Sequence, residues 1–153
     1  MAISEWWASD PDQRYWMEIT DRLDLGADLL APKARSDGKP YWGYELITYG
    51  QPGDVVYHWH SSLLDEQGIV GWSQAVGGYE DTQMSWQSHV ASGQGSSALQ
   101  PAWRTPLQNY TSLTHPVLIS DLRQLEQEIR GVLTQLEQVF GLRPGWLAVR
   151  RWS

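Results

Sequence analysis

The chain has no cysteine among its 153 residues. Disulfides and thiolate metal sites are therefore excluded, and the composition fits a cytoplasmic protein. It has no run of about 18 apolar residues, the length a membrane-spanning helix needs, so no membrane partner is expected. The first ten residues, MAISEWWASD, hold neither a basic segment nor an apolar one, and no secretory leader is read there. Basic residues are short: 11 Lys and Arg stand against 18 Asp and Glu, a formal net charge of -7. A nucleic-acid binder usually shows the opposite balance over its whole surface. Signatures of catalysis are missing too. There is no GxSxG elbow and no GxxxxGK[ST] loop, and Gly93-Gln94-Gly95 has no helix after it. No HExxH occurs, and the histidines do not cluster as an HNH nuclease centre requires. The expectation is a chain with no catalytic centre, no bound metal and no cofactor of its own.

What the chain has in excess is flat aromatic surface: ten Trp and seven Tyr against a single Phe. These residues join an apolar face to a polar edge, which suits a core and equally suits a pocket that stacks a planar ligand. They concentrate around 53–76, GDVVYHWHSSLLDEQGIVGWSQAV. Period-two alternation there predicts two strands. Val55, Tyr57 and Trp59 point one way and Val56, His58 and His60 the other. A loop at 63–68 carries Asp65, Glu66 and Gly68 as turn residues. His58 and His60 at i, i+2 share one face. Two imidazoles do not make a metal site without further ligands, which only His89 and His115 are left to supply, and a hydrogen-bonded structural pair is favoured.

The length predicts one domain, placed at 14–142, with a lead-in at 1–13 and a short basic segment at 143–153. In chain order, 14–20 (RYWMEIT) is a strand with Tyr15, Met17 and Ile19 on one face and Trp16 and Glu18 on the other. Residues 21–30 read as a loop or helical turn, 31–40 as a mobile loop, and 41–49 as a short helix or irregular strand. Small polar residues make 93–97 flexible. Strand pieces at 102–110 and 117–119 flank Thr114-His115-Pro116. Ser120 caps a long helix, 121–140, whose apolar residues fall three and four apart. Gly141 and Pro144 end it. The helix is expected to pack on the sheet; at under three heptads it signals dimerisation only weakly. The fold class is α+β: a small, strongly curved sheet or barrel with flanking helices, the long C-terminal one included.

Most single tryptophans in a domain are core residues, and a purely structural role for all ten is one reading. Trp42 and Trp86 stand apart, because both lie in polar company: Trp42 follows a Gly-Lys-Pro loop, and Trp86 sits within MSWQSH. Flat faces emerging from polar loops are suited to stacking on an extruded nucleobase.

The segments RYWMEIT, Tyr41-Trp42, PGDVVYHWHSS and IVGWSQAV resemble the EVE domain of the PUA-like superfamily, related to the YTH domain. The form with WMEITDR and GWSQAV is most similar to EVE modules found ahead of HNH nuclease domains in modification-dependent restriction enzymes. The resemblance covers about residues 14 to 130. It implies a PUA-like barrel that reads a modified base, 5-methylcytosine or 5-hydroxymethylcytosine, flipped out of double-stranded DNA into an aromatic cage. It implies Trp42 and Trp86 as the cage, with Trp59 or Tyr57 as a third wall. Asp21 would accept from the base edge, with Ser73 completing it. Lys33, Arg35, Lys39 and Arg104 would meet phosphates. A fused or partner nuclease domain is the implied partner. A PUA-like module for RNA or nucleotides, without a DNA role, is the alternative.

Overall fold

The structure is a computed structural model that describes residues 12–35, 37–85 and 99–140, apart from the side chains at 136, 137, 139 and 140. Trp86, His89, the 93–97 stretch, most of the lead-in and the 143–153 segment lie outside the described residues.

The elements run β1 (Tyr15–Thr20), β2 (Asp28–Pro32), α1 (Trp42–Glu45) with a 3-10 turn at Leu46–Tyr49, β3 (Val55–His60), β4 (Gly68–Ala75), β5 (Glu80–Ser85), β6 (Leu99–Leu118), α2 (Ile119–Gln124) and α3 (Glu126–Phe140). Six strands form one mixed sheet in the order β1-β3-β4-β6-β2, with β5 also paired to β6. β1 runs parallel to β3, with Glu18 beside His58, and every other pairing is antiparallel. The two strands at the ends of that order, β1 and β2, line a common cleft, so the sheet curls until its ends approach. This is the curved-sheet α+β class expected from the sequence.

The alternation read in β1 and β3 holds. Tyr15, Met17 and Ile19 are exposed, Trp16 and Glu18 are half-buried, and Val56, His58 and His60 are buried. Trp59 on the other face is buried as well, its Nε1–H donating to Gln67 Oε1 at 3.1 Å. The apolar core is small: Val56, Ala75 and Leu107, with Trp16 and Leu29 packed against it.

The structure departs from the sequence reading at several elements. Residues 28–32, read as the end of one loop and the start of the next, form β2. Its Asp28 and Pro32 look like loop residues, but pairing with Ala102–Pro106 of β6 decides the matter. Residues 80–85, EDTQMS, form β5, although they are polar: the strand lies at an edge, alternating exposed and half-buried from Gln83 to Ser85. The two late strand pieces are one strand of 20 residues that carries Pro101, Pro106 and Pro116. Its first part lies between β2 and β5 and its later part pairs with β4. Where the two parts meet, the register shifts and Asn109 takes a left-handed φ of 57°, a conformation asparagine tolerates, with Nδ2 donating to Gln74 Oε1 at 3.1 Å. Finally, the long helix is two helices that meet at Leu125. Ser120 is not the cap. Leu118 holds that position, its N–H donating to Asp121 Oδ2 at 2.9 Å, while Ser120 bonds Glu66 from inside the first turn. α2 is tied to the sheet through buried Ile119, whose N–H donates to Gln67 O at 3.0 Å. In α3, Ile129, Val132 and Leu133 are only half-buried.

Gly68, assigned to a turn, instead begins β4. A Cβ there would collide with Val117 O and stand 2.9 Å from Leu118 Cα, so the close approach of β6 requires glycine. Among the described residues, no helix is long and apolar enough to cross a membrane.

Candidate functional site: a cleft at the seam of the sheet

The curled sheet leaves a gap between β1 and β2. β1 contributes Trp16–Ile19 and β2 contributes Leu29–Pro32 to the walls. Gly43 and Tyr44 of α1 and Leu46 and Ile47 of the turn after it close one side, and Met84 of β5 adds to the wall. Val56, Ala75 and Thr105 come from the core face. The cleft encloses about 340 Å³. That lies within the range of about 300–1,000 Å³ for small-molecule sites, and a mostly apolar wall with a few converging polar groups is their usual make-up.

Trp16 is held rigidly. Its Nε1–H donates to Asp54 Oδ2 at 2.7 Å. The same oxygen accepts the Gln51 N–H at 2.9 Å and lies 3.5 Å from Arg14. Asp54 is buried, so the ring of Trp16 is fixed by a well-partnered carboxylate. Tyr44 keeps its phenol proton firmly: burial, with the neighbouring Tyr41, pushes its pKa up.

Glu18 enters the cleft wall as part of a buried chain. His58 Nδ1 lies 2.7 Å from Glu18 Oε2, and His58 Nε2 lies 2.7 Å from Ser73 Oγ. His58 and Ser73 are fully buried, and Glu18's side chain is 15% exposed. An Nδ1–H that donates to the carboxylate leaves Nε2 to accept from the Ser73 hydroxyl. His60 is equally committed. Its Nε2–H donates to Arg22 O at 3.0 Å, and Nδ1 accepts from Ser62 N–H at 3.0 Å. The two imidazoles are thus the hydrogen-bonded structural pair favoured by the sequence, and each has both nitrogens engaged.

Thr105 is 1% exposed, lines the cleft, and its hydroxyl has no hydrogen-bond partner among the described residues. An unpaired buried hydroxyl costs about 1–3 kcal/mol. Thr105→Val keeps the shape and removes that cost. Its melting temperature is expected to rise by about 2–4 °C, for a gain of about 1 kcal/mol. A melting temperature below wild type would show that the hydroxyl is satisfied and the site ordinary core.

The residues singled out from the sequence are not brought together. Trp42 opens α1 and is 62% exposed, tilted against Tyr41 at a ring distance of 5.7 Å. It adjoins Gly43 and Tyr44 of the cleft wall without lining the cleft itself. Trp59 is buried elsewhere, and Tyr57 stacks on Tyr15 at 6.3 Å. Asp21 is exposed beyond β1. Ser73 reaches the cleft only through His58 and Glu18.

The cations divide into two groups. Lys33 pairs with Asp81 at 2.5 Å and lies over Trp103. Arg104 bridges Asp28 at 2.7 Å and Glu80 at 2.6 Å, and its pKa is raised, chiefly by the hydrogen bond to Asp28. Arg22 joins the same network through Asp24 and Asp28. The hydrogen bond from Arg22 holds Asp24's carboxyl below its usual range. Arg35 and Lys39 are exposed, and the nearest carboxylate to Arg35 is Asp37 at 3.9 Å.

Glu18, Thr105 and Trp16 escaped the sequence reading as site residues. The signal for Glu18 was present: a carboxylate on the same strand face as Trp16, where the core lies.

Fold and cleft together define an α+β domain with a ligand-sized pocket where its sheet fails to close. No family model matches the chain. A search of curated proteins gives no match. Among solved structures, the N-terminal domain of McrB from Staphylothermus marinus is similar over 77% of this chain and 83% of that one, at 17% identity and a TM-score of 0.45. A Pseudomonas putida protein is similar over 74% of this chain and 80% of that one, at 14% identity and a TM-score of 0.43. A Pseudomonas syringae protein gives the same coverage at 18% identity and a TM-score of 0.41. Likeness at these scores is remote and carries no inference about what this chain binds.

Proposed function

We propose that this domain reads a modified base, 5-methylcytosine or 5-hydroxymethylcytosine, in DNA. The observation that carries the reading is the seam cleft: about 340 Å³, walled by aliphatic side chains and the fixed ring of Trp16, with Glu18, Tyr44, Thr105 and the already engaged Asp54 as its polar groups. A base in a duplex cannot enter such a cleft without leaving the stack, so reading proceeds by flipping. Trp42, exposed beside the wall, is the stacking face on the approach, and Trp86 is its proposed partner in the cage. Arg35 and Lys39 are the phosphate contacts, because Lys33 and Arg104 are already engaged by acids. The module would supply specificity to a nuclease in the same or a partner chain.

The engaged cations and the net charge of -7 favour a second reading, an RNA or free-nucleotide binder with few phosphate contacts. One titration separates the two. Duplex oligonucleotides with a single cytosine, 5-methylcytosine or 5-hydroxymethylcytosine are compared with the matching RNA and with free nucleotides. The reader is expected to prefer a modified duplex by at least about tenfold, or 1.4 kcal/mol. Equal affinity for modified and unmodified duplexes would end the reading, and preference for RNA or nucleotide would replace it.

A further inference from the structure

We propose that Glu18, clamped by His58, selects the hydrogen-bonding edge of the ligand: the cleft takes a base with an exocyclic amine beside a ring acceptor nitrogen and rejects the keto counterpart. This rests on the reading of the cleft as a base site. It assigns the selection to a residue other than Asp21, which is exposed outside the cleft.

An ionised carboxylate only accepts hydrogen bonds, so whatever meets Glu18 must donate. His58 engages Oε2 at 2.7 Å, and the side chain stays 15% exposed in a wall that is otherwise largely apolar. His58 cannot swing away. It is fully buried, its second nitrogen is 2.7 Å from Ser73 Oγ, and the ring of Tyr110 lies 5.7 Å from its own. The acceptor is therefore preorganised, and His58 acts as a positioning residue.

The second group is the Thr105 hydroxyl, buried on the same cleft without a partner among the described residues. A hydroxyl can donate to a ring nitrogen. Cytosine and adenine present an amine donor next to an acceptor nitrogen, which matches a carboxylate and a hydroxyl donor. Thymine and uracil present a carbonyl where the amine would be, and a carbonyl oxygen facing a carboxylate is repelled. Sites built to hydrogen-bond one group reject the analogue that lacks it far more strongly than an apolar wall rejects a change of shape.

The test uses two nucleosides that share the 5-methyl group and differ at that edge, 5-methyl-2′-deoxycytidine and thymidine. Each is titrated into wild type, Glu18→Gln and Thr105→Val, read by NMR at Trp16 Nε1–H and at the side-chain methyl of residue 105. Wild type is expected to prefer 5-methyl-2′-deoxycytidine by at least about tenfold, as one good edge contact allows. Glu18→Gln can still bond His58 but offers both a donor and an acceptor, so its preference should shrink to within about threefold. Thr105→Val should weaken the binding of 5-methyl-2′-deoxycytidine without lowering the melting temperature. Equal response to both nucleosides in wild type, no response to either, or a preference that survives in Glu18→Gln overturns the proposal. If Glu18→Gln does not fold, the decision passes to Thr105→Val, and undiminished binding there overturns it. The duplex titration keeps the two claims apart. Preference for a modified duplex with a negative nucleoside result removes only the edge selection. A positive nucleoside result with no duplex preference removes only the DNA role.

Discussion

His58→Phe is expected to lower the melting temperature by roughly 6–20 °C. Phenylalanine fills the space but ends both hydrogen bonds of the imidazole. Glu18 and Ser73 are then left without that partner, one of them fully buried. Removing one member of a buried polar pair typically costs about 3–5 kcal/mol, and each kcal/mol moves the midpoint by about 2–4 °C in a domain of this size. Ser73→Ala, which removes only the far end of the chain, should cost about 1 kcal/mol. Thermal melting of the two variants side by side is the measurement. Similar midpoints for both would mean that the chain is not the continuous network drawn from its distances.

Trp42→Ala is expected to do the reverse, leaving stability nearly intact and removing binding. At 62% exposure the indole contributes little to the core, so a midpoint within about 2 °C of wild type is expected. Truncating a buried tryptophan costs about 3–5 kcal/mol by comparison. Loss of one stacking face removes about 1–3 kcal/mol of binding, or roughly ten- to a hundred-fold in affinity for a modified duplex. Trp16→Ala is the control. It takes away a cleft wall, a core contact and the partner of Asp54, so it should lower the melting temperature first. If Trp42→Ala melts normally and still prefers modified DNA, the stacking face lies elsewhere.

The strands with period-two aromatic and β-branched alternation were legible. β1, β3 and β4 could be placed almost to the residue, because one buried face imposes that pattern. β2 and β5 were not legible. DLLAP and EDTQMS carry no such alternation, and both become strands through pairing with β6, a partner far along the chain. β6 was broken in reading around Thr114-His115-Pro116, because a proline usually ends a strand. The candidate cleft was legible only at its margin. Trp42 stood out by its polar setting, and the structure places it beside the cleft. Glu18 and Thr105 did not stand out, because neither strand partner nor burial can be read from a single residue type. A cleft between β1 and β2 depends on where the sheet fails to close, which no local pattern states.

The length of β6 has a consequence for how the chain reaches this fold. Among the described strands β2 has one partner, the stretch 102–106, some seventy positions later in sequence, and β5 relies on the same strand. As the chain leaves the ribosome, β1, β3 and β4 can associate while β2 and β5 still lack any neighbour. The cleft has only one of its two strand walls until β6 is made. Closing so long a loop late sets the pace of folding, in keeping with the slow folding of distant pairings. The cleft is thus a property of the finished sheet, and any chain cut before residue 99 would present half of a pocket.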